Sequence, residues 1–168
     1  MAQDPRQDWL DAAITQWEKP MLRLCFAYLG DTAAAEDAVQ ETFFKAWKSY
    51  NRFSGKAAEK TWLTRIAINT CKDQMKSAWA RHTDRSVTPD ALPEGSASFD
   101  TQDDTVTRAV LSLPKDLKEA VMLHWYQGMT LDEIRKVLRL PRSTINYRLK
   151  KAKAILKKEL EEWYFEDE

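Results

Sequence analysis

The sequence predicts an all-α protein in which two small helical domains are joined by a flexible linker. Only four of the 168 residues are glycine, and apolar side chains recur with the period of an α-helix along most of the chain. No stretch shows the strict apolar–polar alternation of a half-buried strand. The length allows one domain or two small ones, and the composition of the middle of the chain favours two.

The first predicted helical region starts near Trp9 and ends at Gly30, a residue suited to the left-handed conformation of a helix C-cap. Pro20 lies inside this region and either kinks one helix or starts a second. Asp31 or Thr32 can cap the next helix through a side-chain oxygen. The apolar face of that helix is predicted to contain Val39, Phe43, Ala46, Trp47 and Tyr50.

A loop is predicted from Ser54 to Lys60, followed by a helix from about Thr61 to Ala80. The apolar anchors of this helix are predicted to be Trp62, Ile66, Met75 and Trp79. Because these helices follow one another with short connections, we assign them to a first domain over residues 1–80.

Residues 81–105 contain two prolines, several Ser and Thr, and few large apolar side chains. Such a segment buries too little surface to offset the entropy of ordering it. We therefore predict a flexible acidic linker over residues 81–105. A second helical domain is expected over residues 106–160, and an acidic aromatic tail over residues 161–168.

The second domain carries a helix-turn-helix pattern. A helix through Leu117 stops at Gly128, and Thr130–Glu133 (TLDE) forms a capping box that starts the next helix. Another helix follows from about Ser143 after a short turn. Its buried stripe is predicted to contain Ile145, Leu149, Ala152, Ile155 and Leu156. A helix of this kind fits the major groove of DNA, where its N-terminal residues reach base edges.

The charged side chains are distributed unevenly, although the formal net charge is zero. Residues 113–160 hold 12 basic and 5 acidic side chains, and no acid occurs from Ile134 to Lys158. The tail at residues 161–168 holds five acids and no base. A long basic stretch creates a positive potential that attracts polyanions, so DNA binding is favoured over a merely solvated helix face.

Several function classes lack support in the sequence. No apolar run is long enough to cross a membrane, and the N-terminus has no basic region before an apolar core, so we expect a cytoplasmic protein. Cys25 and Cys71 form no CxxC motif, and His82 and His124 have no ligand-spaced neighbours, so we expect reduced thiols and no metal site. No catalytic constellation or phosphate-binding loop indicates an enzyme or a cofactor.

Three strings occur in a distinctive order: YLGDTAAAEDAVQETFFKAW, KTWLTRIAINTCKD and LSLPKDLKEAVMLHWYQGMTLDEIRKVLRLPRSTINYRLKKAKAIL. Together they resemble bacterial sigma factors of the extracytoplasmic-function (ECF) group over roughly Trp9 to Leu160. The resemblance implies that the two domains are sigma regions 2 and 4, which recognise the −10 and −35 promoter elements and aid strand opening. It also implies core RNA polymerase (its β′ and β subunits), promoter DNA and an anti-sigma factor as partners of a chain that is monomeric when free.

The predicted polymerase contact lies on the second helix. In the family the AEDxxQExF helix binds the β′ coiled coil, and the matching string here is AEDAVQETF, Ala35–Phe43. Phe44 adds an outward aromatic ring among polar groups, which by itself fits either an interface patch or an ordinary surface aromatic; the family match favours the interface. The predicted polymerase-binding residues are Asp37, Gln40, Glu41, Phe44, Lys45 and Lys48.

The next helix resembles the part of region 2 that recognises the −10 element and holds the opened strand. In the family the preceding loop receives a base that is flipped out of the stack. By composition alone, an ordinary mixed-charge face is the alternative. Primary sigma factors have two tryptophans where this chain has Trp62 and Leu63, which implies weaker melting and a stricter promoter requirement. The predicted −10 residues are Lys56, Lys60, Trp62, Arg65, Asn69, Lys72, Asp73 and Lys76.

The predicted −35 residues are Arg142, Ser143, Thr144, Asn146, Tyr147, Arg148, Lys150 and Lys151. The turn and recognition helix read LRLPRSTINYRLKKA, whereas the family pattern resembles LgipxGTVkSRlhRA. Arg139 and Ser143 replace glycines, and Asn146 and Tyr147 replace commoner residues, so we expect an unusual −35 preference. Arg135 takes a normally small position, which predicts either splayed helices or an arginine stem directed outward.

Two other functions stay open on the sequence. A helix-turn-helix regulator that binds duplex DNA alone, commonly as a dimer, leaves the AEDAVQETF match unexplained, and an enzyme has no supporting constellation.

The tail holds Trp163, Tyr164 and Phe165. It either folds back on the basic helix, gives an anti-sigma protein a handle, or packs at the helix end.

Overall fold

The computed structural model of the protein describes residues 4–53, 59–83 and 104–166. Helices and short turns make up these ranges, and no strand occurs within them, which confirms the all-α prediction. The described residues divide into two compact units on either side of residues 84–103. Most of the predicted linker at residues 81–105 therefore lies outside the described residues, and its flexibility stays a prediction.

The first unit packs its helices around one core. Helix α1 spans Pro5–Leu29, α2 spans Thr32–Lys48 and α3 spans Glu59–Thr83, and a short 3₁₀ turn at Tyr50–Arg52 follows α2. Each of these helices contacts the other two. Each helix therefore buries one face in the shared core and leaves another face toward solvent.

Local capping sets the helix ends of the first unit. The Asp4 carboxylate accepts a hydrogen bond from Arg6 N at 3.0 Å at the start of α1. Gly30 has the predicted left-handed conformation (φ 70°), and its N–H donates to Phe26 O at 2.8 Å. Asp31, the first of the two candidate caps, accepts from Ala34 N at 3.0 Å. Pro20 lies inside one continuous helix, which decides between the two alternatives for that residue.

The core of the first unit corrects the predicted face of α3. The predicted anchors Trp62, Ile66 and Met75 are only half-buried, and the side chain of Trp79 is outside the described part. The buried residues of this helix are Thr61, Leu63, Thr64, Ala67, Ile68, Thr70 and Cys71. This face packs Leu63 and Ile68 together with smaller residues such as Ala67 and Cys71 into the core, while the Trp62 side chain is half-buried.

The two cysteines meet inside this core. Cys25 and Cys71 are both fully buried free thiols, as the sequence predicts. Their mutual hydrogen bond, followed by burial, raises the pKa of the Cys25 thiol far above its ordinary value. Cys25 is therefore a neutral thiol at any physiological pH, and the pair packs as small apolar side chains.

The second unit packs its helices against the long C-terminal helix α7. Its helices are α4 (Asp104–Leu111), α5 (Lys115–Val121), α6 (Leu131–Leu138) and α7 (Arg142–Glu166), with a π-helical turn at Met122–Tyr126 after α5. Helix α7 contacts α4, α5 and α6. Its buried stripe contains Ile145, Leu149, Ala152 and Leu156, as predicted, whereas Ile155 is half-buried. The helix pair α6–α7 is the predicted helix-turn-helix.

Turns and caps fix the entry to that helix pair. The helix through Leu117 does stop before Gly128 (φ 66°), but its last turn widens, with Gln127 N donating to Met122 O at 2.9 Å. Thr130 caps α6: its hydroxyl oxygen accepts from Glu133 N at 3.2 Å and donates to a Glu133 carboxylate oxygen at 3.1 Å. The N-cap role of Thr130 in the predicted capping box is confirmed, and Glu133 reaches back to the Thr130 hydroxyl.

The backbone of the predicted tail from residue 161 continues α7 as far as Glu166. The aromatic side chains at positions 163–165 lie outside the described side chains. The three alternatives for the tail therefore stay predictions.

Candidate polymerase and nucleic-acid interfaces

The outer face of α2 carries the predicted polymerase-binding residues. Asp37, Gln40, Phe44 and Lys48 are exposed and follow one another at helical spacing. The Phe44 side chain is 53% exposed. The Lys48 ammonium lies 4.5 Å from the centroid of its ring, within cation–π distance. An exposed aromatic ring next to a cation is a suitable centre for a protein interface.

Two further predicted residues on α2 are held against α3. The Lys45 ammonium lies 3.4 Å from a Glu41 carboxylate oxygen and donates to Thr70 Oγ1 at 3.2 Å. The Gln74 amide donates to the other Glu41 oxygen at 3.3 Å. Thr70 and Gln74 were not predicted, because their contacts depend on the register between α2 and α3. Glu41 and Lys45 thus hold α2, the helix that carries Phe44, against α3.

The predicted −10 residues of α3 form one exposed face. Arg65, Asn69, Asp73 and Lys76 are exposed at intervals of three or four residues, and Lys72 is half-buried. The face combines cations, an amide and one carboxylate. Such a mixture suits polar contacts to an unpaired strand better than dense phosphate neutralisation of a duplex.

Two predicted −10 residues from the preceding segment behave differently. Lys56 lies outside the described residues. Lys60 is half-buried, and its ammonium lies 5.9 Å from the centroid of the Trp17 ring. Lys60 is therefore directed along the surface of α1 in this conformation.

Trp62 belongs to an aromatic cluster that we define as Trp9, Tyr50, Phe53 and Trp62. The rings of Trp62 and Phe53 stack with centroids 4.7 Å apart and planes at 26°. The Trp9 ring lies 5.8 Å from Trp62 and 5.2 Å from Tyr50. All four side chains are half-buried. Sequence reasoning found only Trp62, since the cluster depends on how α1, the 3₁₀ turn and α3 pack.

The N-terminal part of α7 presents the predicted −35 residues. Most of them are exposed, and Thr144 and Arg148 are half-buried. Tyr147 is 63% exposed, and the Lys151 ammonium lies 6.0 Å from its ring centroid. The exposed members are Arg142, Ser143, Asn146, Tyr147, Lys150 and Lys151. Amide, phenol, hydroxyl and cationic groups thus share one helix surface that contains no acid.

Two arginines of this surface have carboxylate partners within the unit. Arg142 pairs with Asp132 at 3.6 Å, and both side chains are 63% exposed. Arg148 lies 3.9 Å from Asp116, and its side chain is only 21% exposed. The exposed pair is weak and can open for a phosphate, whereas Arg148 is half-buried beside α5.

The exposure of Arg135 on α6 decides between splayed helices and an arginine stem that is directed outward. Arg135 is exposed while α6 and α7 remain in contact, so its stem is directed outward and the helices are not splayed. Arg139 has φ 58° and ψ 41°, the left-handed conformation that the family pattern reserves for glycine, and its N–H donates to Arg135 O at 2.9 Å. A residue with a Cβ atom is strained in that backbone conformation, because the Cβ atom approaches the following carbonyl oxygen.

Among the described residues, no group of His, Cys, Asp or Glu side chains is arranged to hold a metal ion. A search of the same residues for a helix that is both long and apolar enough to span a membrane finds none.

Comparison with known proteins decides the family. The family model for Sigma-70 region 2 matches residues 13–81, and that for Sigma-70, region 4 matches residues 103–156. The RNA polymerase sigma-H factor of Pseudomonas aeruginosa is 30% identical over 165 residues, which cover 90% of this chain and 86% of the relative. The chain belongs to the sigma-70 family.

Other relatives define the group within the family. The ECF RNA polymerase sigma factor SigC of Mycobacterium tuberculosis is 31% identical over 150 residues, which cover 88% of this chain and 80% of the relative. The sigma factor RpoE of Bartonella quintana, crystallised in complex with the anti-sigma factor NepR, has the same fold. That likeness has a TM-score of 0.78 at 22% identity and covers 90% of this chain and 96% of the other.

This ECF sigma factor binds core RNA polymerase and directs promoter-specific transcription initiation, as predicted. Its first unit contains region 2 and its second unit contains region 4. The alternative of an independent helix-turn-helix regulator is wrong. The sigma-70 family is known as a family of non-enzymatic initiation factors.

Proposed function

We propose that the outer face of α2 is the docking surface for core polymerase, on the coiled coil of β′. Phe44 supplies the central apolar contact, and Asp37, Gln40 and Lys48 surround it with polar groups. The support for this assignment is the 53% exposure of Phe44 beside a cation, on a helix whose other face is buried in the core. Glu41 and Lys45 contribute from the edge, since both also bind α3.

The exposed face of α3 contacts the −10 element. Asn69 bonds a base edge, and Arg65, Lys72 and Lys76 contact the backbone of the opened non-template strand, with Asp73 between them. Trp62 stacks on an unpaired base. Lys56 and Lys60 contribute phosphate contacts from the segment before α3. The support is the mixed polar and aromatic character of this surface, which is typical of single-strand binding.

The start of α7 reads the −35 element in the major groove. Asn146 and Tyr147 contact base edges, while Arg142, Ser143, Lys150 and Lys151 bind phosphates and Thr144 lines the entry. Arg148 supports the helix from its place beside Asp116. The observation that carries this assignment is the division of α7, from Arg142 to Lys158, into a buried apolar stripe and an exposed basic face without acids.

The chain itself supplies no catalytic group and needs no cofactor, so polymerase performs all the chemistry. Free protein is a cytoplasmic monomer that joins the nucleoid when it is bound to polymerase. An anti-sigma factor holds it inactive, as the anti-sigma factor NepR binds the sigma factor RpoE in the structurally similar complex. The linker proposed at residues 81–105 tethers the two domains, residues 1–80 and 106–160; its first three residues continue α3 and its last two begin α4.

The test is reconstitution of transcription. Core polymerase and this protein are mixed with linear DNA in which the −35 and −10 positions are randomised, and the transcripts are sequenced. We expect transcripts that require both proteins and a −35 element unlike the commonest family motif. Specific DNA binding without transcripts would contradict the sigma assignment, and recovery of the commonest motif would contradict the unusual −35 preference.

A further inference from the structure

Trp62 has to act without a neighbouring tryptophan. Leu63 occupies the adjacent position and is fully buried in the core, so it cannot serve as a second exposed ring. A single stacking ring binds a base well only if its orientation is fixed, because ordering a mobile side chain on binding costs entropy. The structure therefore raises the question of what orients Trp62.

The aromatic cluster supplies that orientation. Phe53 stacks on Trp62 at 4.7 Å, and Trp9 contacts it at 5.8 Å and 52°. Trp9 is in turn flanked by Tyr50 at 5.2 Å. Two other elements, α1 and the segment after the 3₁₀ turn, thus constrain the indole ring that α3 carries.

The N-terminal turn of α1 is itself anchored. Asp4 caps it, and the Arg6 guanidinium lies 4.8 Å from the centroid of the Trp47 ring on α2. Trp9 follows Arg6 by three residues, which places the two side chains on one side of the helix. Trp9 therefore contacts Trp62 from a helix end that is capped by Asp4 and held against α2 by Arg6.

We propose that Trp9 is a positioning residue for promoter opening: together with Tyr50 it holds the Trp62–Phe53 stack in the orientation that receives an unpaired base of the non-template strand. This inference rests on the proposed −10 function of α3. It assigns to the start of α1, which has no predicted DNA contact, a role in the capture of single-stranded DNA. Trp9 acts through Trp62 and does not touch the base.

The experiment uses holoenzyme, reconstituted from core polymerase and full-length protein, and a promoter recovered from the randomised library. Two dissociation constants are measured: one for a single-stranded non-template oligonucleotide that contains the −10 element, and one for a duplex that contains only the −35 element. The variants are Trp9→Ala, Trp9→Phe, Trp62→Ala and the Trp9→Ala/Trp62→Ala pair. Tyr28→Ala is the matched control, since Tyr28 is a half-buried aromatic on α1 about 28 Å from Trp9 along the helix.

Trp9→Ala should weaken single-strand binding about tenfold, the size of one lost stacking contact, and should leave duplex binding unchanged. Trp9→Phe should recover most of the loss. In the Trp62→Ala background, Trp9→Ala should cause no further loss, because the ring that it positions is gone. Tyr28→Ala should leave single-strand binding at the wild-type value.

Other outcomes overturn the proposal. Equal losses on both DNAs, or the same loss with Tyr28→Ala, would make Trp9 an ordinary packing residue. Full additivity with Trp62→Ala would show that Trp9 acts independently. If wild-type holoenzyme fails to bind the oligonucleotide, the −10 assignment falls and this inference with it, whereas wild-type binding with an unaffected Trp9→Ala variant removes only the positioning role. If Trp9→Ala does not fold, Tyr50→Leu tests the same support, because Tyr50 contacts Trp9 from the 3₁₀ turn. A Tyr50→Leu variant that binds the single strand with wild-type affinity would overturn the proposal.

Discussion

Helices α3 and α7 have the same length, 25 residues each, and each carries the candidate nucleic-acid residues of its unit. Their surfaces differ in charge and in chemistry. The exposed face of α3 includes the carboxylate of Asp73 among its cations, and aromatic rings adjoin its first turn. The exposed face of α7 has no acid before Glu159. The first surface suits an unpaired strand, and the second suits the phosphates of a duplex.

The two surfaces also differ in how firmly their side chains are held. At the first turn of α3, Lys60 and Trp62 contact aromatic rings of α1. In the second unit, Asn146 and Tyr147 project from α7 into solvent. A prearranged surface gains affinity because less is ordered on binding. A projecting surface tolerates substitution, which agrees with the departures from the family pattern that fall on α7.

Salt should weaken duplex −35 binding strongly. Raising the salt concentration from about 50 to about 200 mM should weaken this binding by holoenzyme roughly fortyfold, since the three cations Arg142, Lys150 and Lys151 release counterions from the phosphates. For single-strand −10 binding, each phosphate contact should contribute less to the slope, about 0.7 against about 0.9 for the duplex. Fluorescence anisotropy titrations with the two DNAs measure both slopes.

A matched variant assigns the duplex salt dependence to α7. Lys150→Ala should lower the magnitude of the duplex slope by about one and leave the single-strand slope unchanged. An unchanged duplex slope in Lys150→Ala would contradict the assignment of duplex phosphate contacts to α7.

The predictable parts of this molecule are those that local sequence determines. Gly30, Asp31 and Thr130 end or start helices through contacts within four residues, and all three were predicted. The helix-turn-helix was also predictable, because α6 and α7 each have one clear apolar stripe.

The face of α3 was not predictable in the same way. Two adjacent stripes of this helix carry apolar residues: Trp62 and Ile66 are half-buried, whereas Leu63 and Ile68 are buried together with Ala67 and Cys71. Side-chain size does not separate the two stripes, since an isoleucine occurs on each. The Lys45–Thr70 contact and the aromatic cluster depend on register between helices, which no local pattern encodes.

The next largest effect is expected from Phe44→Ala, which should weaken binding to core polymerase. Such a loss would assign polymerase docking to the first unit. Loss of a central interface ring costs about 2 kcal/mol, or roughly thirtyfold in affinity for core polymerase. Because the ring is 53% exposed, the free energy of unfolding should change little. Tyr147→Ala removes a similarly exposed ring from the second unit and should leave polymerase affinity unchanged. Wild-type affinity in Phe44→Ala would refute the docking surface.

Asn146→Ala tests the base-reading role of α7 at a single position. An asparagine amide pairs with the major-groove edge of adenine, so we expect one adenine in the selected −35 element to lose about tenfold of its preference. Sequencing of transcripts from the randomised library measures this change. Lys157→Ala, an exposed substitution further along α7, should leave every base preference intact. A preference profile that is unchanged in Asn146→Ala would assign sequence reading to other residues.

The smallest expected effect is on stability, at the residue that directly follows a helix in each unit. Gly30 and Arg139 both follow a helix with a left-handed backbone, at φ 70° and φ 58°. Arg139→Gly relieves strain of about 1–2 kcal/mol and adds about 0.5–1 kcal/mol of unfolded-state entropy, so the second unit should gain roughly 0.5–1 kcal/mol. Gly30→Ala should destabilise the first unit by a similar amount, and through the backbone alone, because an added Cβ meets nothing within 4 Å. Thermal unfolding should show opposite shifts of a few degrees, and shifts of the same sign would mean that Arg139 contributes contacts that outweigh its strained backbone.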